Sequence, residues 1–148
     1  MSRVTAHEDI HDAILDRCVA LAESPSLSPG IERHEFGANI GALVSNPQRD
    51  KAEGLVVAAE EGATVATGGR RLNQPGSLLA PKVISGVAPD MQIAGTEVFG
   101  PVLSVLKTGS KNEAINITNS TKYRLIGGIF TADIDAARRI RAGQIFID

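Results

Sequence analysis

The stretch from Val102 to Thr131 constrains the fold more than any other. Val102–Leu106 reads VLSVL, a compact apolar run suited to a buried strand. Ser110 and Glu113 follow as an S-x-x-E pair that caps a helix start, and Ala114, Ile115 and Ile117 supply apolar groups behind it. GGIFT at Gly127–Thr131 then reads as a second strand. A strand, a helix and a strand in succession require a crossover that packs the helix onto the sheet and leaves the strands parallel. The expected fold is therefore α/β: a layered, mostly parallel sheet flanked by helices.

The same alternation runs through the rest of the chain. Residues 2–7 (SRVTAH) read as a strand. From Glu8, Ile10, Ile14, Cys18 and Leu21 recur at helical spacing, so a helix is expected to about Glu23 with these residues inward. Ser24 to Gly30 is a loop rich in breakers. Ser45 and Gln48 form a second capping pair, and Pro47 occupies the first turn of a helix that turns Ala52, Leu55, Val56 and Ala59 to one side. Gly62 suits its C-terminal end. Ala63–Thr67 reads as a strand, Gly68–Gly76 as a surface loop, and Leu78–Val83 as extended, with Pro81 favouring an edge or bulge. Asp133 can cap a helix that turns Ile134, Ala137 and Ile140 inward and Arg138, Arg139 and Arg141 partly outward. Gly143 stops it, and Gln144–Asp148 is a last strand.

Composition removes several function classes. The 148 residues suit a single domain spanning 1–148, with no room for a separate cofactor domain. A net charge of −2 lacks the basic footprint of a nucleic-acid binder. One cysteine excludes an internal disulfide framework. No apolar run has the length of a membrane span or the character of a signal peptide, so the expectation is a cytoplasmic protein with no membrane partner.

Local motifs point to no metal. His7-Glu8-Asp9-Ile10-His11 matches H-E-x-x-H, the pattern by which two helical histidines share a zinc. Its context is wrong: few residues precede it, His34 and Glu35 are the nearest further ligands, and the apolar stripe runs through Ile10 and Ile14. The histidines read as solvated groups at a helix start. Cys18 lies mid-helix, away from any helix N-terminus, and reads as a structural thiol. The glycine pairs at 68–69 and 127–128 form no nucleotide-phosphate loop.

Longer motifs are more specific. AGTEVFGPVLSVL at 94–106 resembles the E-(I/V)-F-G-P-V segment of the aldehyde dehydrogenase superfamily. APKVISGVAPDMQIA before it, EAINITNSTKYRLIGGIFTAD after it and RRIRAGQIFID at the end resemble further family segments in family order. SRVTAHEDIHDAILDR and GALVSNPQRDKAEGLVVAAEEGATVATGG extend the resemblance over nearly the whole chain. The match also accounts for the zinc-like motif, since His11 stands where the family has a tyrosine. Departures are Arg124 for a glycine, Lys82 for a threonine, Thr96 for an acidic residue and Ala42 for a proline.

The resemblance implies roles for two residues. Glu97 corresponds to the glutamate that binds the nicotinamide ribose hydroxyls, and a carboxylate can accept from both. Phe99 corresponds to the phenylalanine that packs against the nicotinamide. Both are expected to be vestigial here, because the resemblance places the catalytic cysteine, the general base and the Rossmann-type domain before the first residue of this sequence. Aldehyde oxidation of the family type needs a thiolate, a bound nicotinamide and a base. The resemblance thus implies a truncated protein that does not oxidise aldehydes with NAD(P) alone.

Three functions follow as expectations. The chain is the C-terminal part of a split or truncated aldehyde dehydrogenase, binding NAD(P) only with a partner chain that carries the cofactor domain. Alternatively, the domain is reused as a cofactor-independent cyclase, isomerase or hydrolase, with His11, His34, Lys82, Tyr123 and Arg124 as candidate catalytic groups. The third is a non-catalytic binding or assembly module. Apolar surface left uncovered by the missing regions should drive self-association, with a homodimer through the strand near 144–148 as the simplest case.

Overall fold

The computed structural model describes residues 3–24, 28–29, 38–68, 72 and 76–147. Its core is a four-stranded sheet. β1 (Arg3–His7) pairs in parallel with β6 (Val102–Thr108), β6 pairs in parallel with β5 (Lys82–Ser85), and β4 (Thr64–Thr67) closes the other edge antiparallel to β5. The expected mostly parallel sheet is thus present, with one reversed edge strand, but the strand at Ile126–Ile129 is not part of it, so the stretch 102–131 joins two sheets rather than crossing over within one. The register aligns Arg3 with Ser104 and Lys82 with Val102.

Side chains of β6 alternate between two layers. Val102 and Leu106 face the larger core. There they meet Ala52, Leu55, Val56 and Ala59 of α2 (Asn46–Glu60) and Ile93 and Ala94 of α3 (Gln92–Gly95). α4 (Lys111–Asn119) adds Ile117 to that core. α1 (Glu8–Ala22) lies against β4, β5 and β6, and the charge of Lys107 acts on its Asp12. Since Lys107 alternates with Leu106, α1 belongs to the other face of the sheet. Ala6, Val83 and Val105 are buried there.

The helix starts follow their caps. Ser45 Oγ accepts from Gln48 N at 3.3 Å, and Ser110 Oγ accepts from Glu113 N at 3.2 Å. Neither pair closes as a reciprocal box. The Glu113 carboxylate accepts instead from Gly109 N at 2.9 Å, and the Gln48 amide turns away to another loop.

A second, smaller layer follows α4. β7 (Ile126–Ile129) and β8 (Gln144–Ile147) form a two-stranded parallel sheet joined through α5 (Ile134–Arg138), whose N-cap Asp133 accepts from Ala136 N at 3.0 Å. Ile115, Ala136 and Ile140 form its core, with Ile129 and Ile145 packed against them. β2 (Ser28–Pro29) and β3 (Ala38–Ile40) form a short parallel pair.

Several expectations change. In α1 the buried residue is His11, 6% exposed, whereas Ile10 and Leu21 are exposed. The helix is therefore rotated from the predicted stripe, and His11 is not a solvated group. Ile134 is exposed, and α5 buries Ala136 and Ala137 instead. Gly62 does not adopt a left-handed cap; an added Cβ would lie 2.7 Å from Met91 Cε, the tip of a flexible side chain that can shift, so the position does not demand glycine. Pro81 lies just before β5, an interior strand, so the edge expectation fails. The irregularity falls across from it, between Val65 and Thr67 of β4. Beside that point Gly68, at φ 82°, leaves no room for a side chain, since a Cβ would overlap Pro81 O.

Candidate functional site

The segment between α3 and β6 carries the residues singled out by the resemblance. It runs past the N-terminal end of β6. Val98 anchors it, fully buried among the core residues of α2 and α3. On either side of that anchor, Glu97 is half-buried and Phe99 is 71% exposed. Among the described residues, no hydrogen bond or ion pair occupies the Glu97 carboxylate. Its two oxygens are available as acceptors.

Phe99 has φ 57°, the only non-glycine residue with positive φ among those described. A left-handed conformation costs an ordinary residue about 1–2 kcal/mol. An exposed ring recovers little of that through burial. An aromatic residue held in strained backbone and presented to solvent is a feature of binding sites more than of cores.

Gln48 holds the segment itself, and Arg3 holds the end of α3 from which it departs. Gln48 Nε2 donates to Val98 O at 2.9 Å and to Phe99 O at 3.3 Å. Arg3 Nη1 donates to Ala94 O at 2.7 Å, while Nη2 donates to Ile117 O and Thr118 O at 3.1 and 2.9 Å. One guanidinium thus joins β1, α3 and the end of α4, and its burial pulls the Arg3 pKa down from the usual arginine value. Gly100 packs close to α2 and the residues before it, where an added Cβ would stand 3.6 Å from Ala52 Cβ and 3.3 Å from Leu43 Cδ2. The sequence pattern places Gln48 only in a cap and Arg3 only in a strand. The spacing of Ser45 and Gln48 was a signal for the helix start, but nothing in the sequence directs the Gln48 amide to residues 98–99.

The other candidates do not converge. His11 is buried on α1, with Nδ1 2.7 Å from Asp12 Oδ1 and Nε2 without a partner among the described residues. That hydrogen bond, aided by the Lys107 charge, holds Asp12 below the usual carboxylate range. Lys82 is 6% exposed on β5. It belongs to the opposite face from α1, where burial lowers its pKa and the charges of Glu60 and Glu53 on α2 partly oppose the shift. Tyr123 and Arg124 are exposed beyond α4, with Lys122 Nζ 5.3 Å from the Tyr123 ring centroid. His34 and its neighbour Glu35 lie outside the described residues. Cys18 is partly buried in mid-α1. Among the described residues, no group of three histidines, cysteines or carboxylates could hold a metal ion. No described helix is long and apolar enough to cross a membrane.

Comparisons with known proteins bear on the family and on the fold. The model of the aldehyde dehydrogenase family matches residues 1–148. The chain is 36% identical over 159 aligned positions to an aldehyde dehydrogenase of Talaromyces stipitatus, covering 99% of this chain and 30% of that protein. Among solved structures, it superposes with a TM-score of 0.88 and 33% identity on the NAD+ complex of a Bacillus cereus aldehyde dehydrogenase. It also superposes with a TM-score of 0.89 and 29% identity on Staphylococcus aureus betaine aldehyde dehydrogenase in complex with NAD+. In both cases 99% of this chain and 30% of the other are covered. The chain thus spans about 30% of the length of the relatives it matches. Its fold, its ordered motifs and these likenesses agree that the chain belongs to the aldehyde dehydrogenase family.

Proposed function

We propose that this chain supplies one wall of a nicotinamide site in an aldehyde dehydrogenase, and that the 148-residue polypeptide alone does not oxidise aldehydes. The observation that carries the reading is Phe99, strained at φ 57° and exposed beside an unengaged Glu97 carboxylate. The residues present fit one edge of the cofactor. Glu97 would accept hydrogen bonds from the two ribose hydroxyls, and the Phe99 ring would lie against the nicotinamide face. Gln48 positions that edge through the Val98 and Phe99 carbonyls, and Arg3 fixes the end of α3 ahead of it through Ala94 O. When bound, the nicotinamide provides the hydride acceptor.

Further segments would supply the thiol, the base and the remaining walls. Cys18 does not serve as the nucleophile, because it lies in mid-α1 on the face of the sheet opposite α2 and α3. The test is an aldehyde oxidation assay on the 148-residue chain, with reduced nicotinamide as readout. No turnover is expected alone. Turnover is expected when a chain carrying the cysteine and cofactor domain is added, and Glu97→Gln should then raise the KM for the nicotinamide cofactor. Turnover by the isolated chain would overturn the proposal.

Self-association accompanies this reading. Leu125, Ile126, Phe130 and Phe146 expose apolar area around β7 and β8, and Leu125 and Phe130 are more than 80% exposed. Parallel sheets are ordinarily covered on both faces. A second copy, joined through β8, would cover this area and make a homodimer.

A further inference from the structure

We infer that a cleft between α4 and the segment 138–141 is a binding site for a small phosphate-bearing anion, separate from the Glu97–Phe99 wall. The cleft measures about 370 Å³ and is lined by Arg138, Arg139 and Arg141 together with Asn116 and Asn119, over Ile115. That volume is in the range of small-molecule sites. None of the lining residues is acidic. This is a local concentration of positive charge in a chain whose net charge is −2.

The cleft wall is built around Asn119. Its Nδ2 donates to Arg139 O at 2.9 Å, and its Oδ1 accepts from Arg141 N at 2.8 Å. These bonds use both ends of the amide and fix the backbone that carries two of the arginines. Arg139 Nη1 donates to Asn112 Oδ1 at 2.8 Å, which orients its guanidinium without neutralising it. Arg138 is paired with Asp135 at 3.2 Å, on the exposed rim. Arg124, outside the lining, donates from Nη2 to Asn119 O at 3.3 Å, at a position where the resembled family pattern has glycine.

With Arg138 paired to Asp135, Arg139 and Arg141 are the two lining guanidiniums without a carboxylate partner among the described residues, and they repel one another in the absence of an anion. Binding a polyanion relieves that repulsion and uses the planar donor forks, which match phosphate oxygens in pairs. The Asn116 amide, exposed on α4, offers a neutral contact beside them. Because Asn119 already fixes the backbone, binding orders side chains and not the chain that carries them. A carboxylate offers fewer acceptor oxygens to the same set of donors, so the geometry favours a phosphate or diphosphate group.

The test is a titration of the 148-residue chain with inorganic pyrophosphate at constant ionic strength, followed by backbone amide chemical shifts. Saturable binding is expected, with the shifts concentrated at Asn116, Asn119, Arg139 and Arg141. The double variant R139Q/R141Q should lose about tenfold or more in affinity, the loss expected from removing charge-assisted hydrogen bonds. Unsaturating shifts, shifts centred elsewhere, or unchanged affinity in a folded double variant would each overturn the inference. If that variant does not fold, Arg138→Glu decides: it places a carboxylate on the rim, and retained affinity would overturn the inference. Tighter binding of a single-stranded oligonucleotide than of pyrophosphate would also overturn the small-anion assignment. The outcome is independent of aldehyde oxidation, so the two proposals fail separately.

Discussion

Gln48 and Val98 are joined by a 2.9 Å hydrogen bond from the side-chain amide of one to the carbonyl of the other. The bond ties the first turn of α2 to the segment that carries Phe99, and the same amide also reaches Phe99 O. Removing it should loosen that segment before it harms the sheet. Gln48→Leu is expected to cost about 1–2 kcal/mol, for two lost hydrogen bonds with partial compensation by water. Urea unfolding measures the cost. The Phe99 amide–α-proton coupling constant reports whether its φ leaves the left-handed region. An unchanged coupling constant would show that Val98 and Gly100 suffice to hold it.

Phe99→Gly should act in the opposite direction on stability. Glycine adopts φ 57° without the steric penalty, and an exposed ring forfeits little burial when removed. A gain of about 0.5–1 kcal/mol is expected in thermal or denaturant unfolding. Any nicotinamide binding reconstituted with a partner chain should weaken in the same variant. A gain in stability with a loss of binding is the signature of strain retained for function.

Lys82 sits buried on β5 with its pKa lowered by burial. The unfolded chain therefore holds this proton more tightly than the folded one. The penalty on folding is full at pH values below the folded pKa, and it is relieved as the pH rises toward the unfolded value. Lys82→Met should stabilise the chain at neutral pH by about 1 kcal/mol, provided the lost attraction to Glu53 and Glu60 is the smaller effect. The advantage should shrink as the pH is raised toward the ordinary lysine range. A pH-independent gain would assign the effect to packing rather than charge.

Phe146→Lys and Ile126→Lys should reduce self-association if β7 and β8 form the contact between copies. Register places Phe146 opposite Gly128 and Ile126 opposite Gln144, and both apolar side chains are exposed. Light scattering across a concentration series is the measurement. A dimer that survives both substitutions would move the interface elsewhere.

Much of the fold was readable because local and long-range signals coincided. Ser45, Ser110 and Asp133 each cap the helix that their spacing predicted. The VLSVL run became the central strand β6. The failures share a cause. α1 packs with His11 inward and Ile10 outward, because tertiary contacts rather than periodicity choose which side of a weakly amphipathic helix faces the sheet. The site was legible in its residue types and not in its supports. Glu97 and Phe99 belong to a motif, but Gln48 reaches the Val98 carbonyl between them from 50 residues away, and Arg3 reaches Ala94 ahead of them from 91. A side-chain hydrogen bond to a distant carbonyl leaves no pattern along the sequence.

The pairing of β1 with β6 sets a schedule for folding. Arg3 finds Ser104, and His7 finds Thr108, only after about a hundred further residues have been made. At roughly 5–20 residues per second, the ribosome holds β1 and α1 without their sheet partner for about 5–20 seconds. During that interval an unpaired strand and the apolar side of its helix are exposed together. Yield in cells should therefore depend on chaperones that shield nascent chains, even when the finished chain is stable.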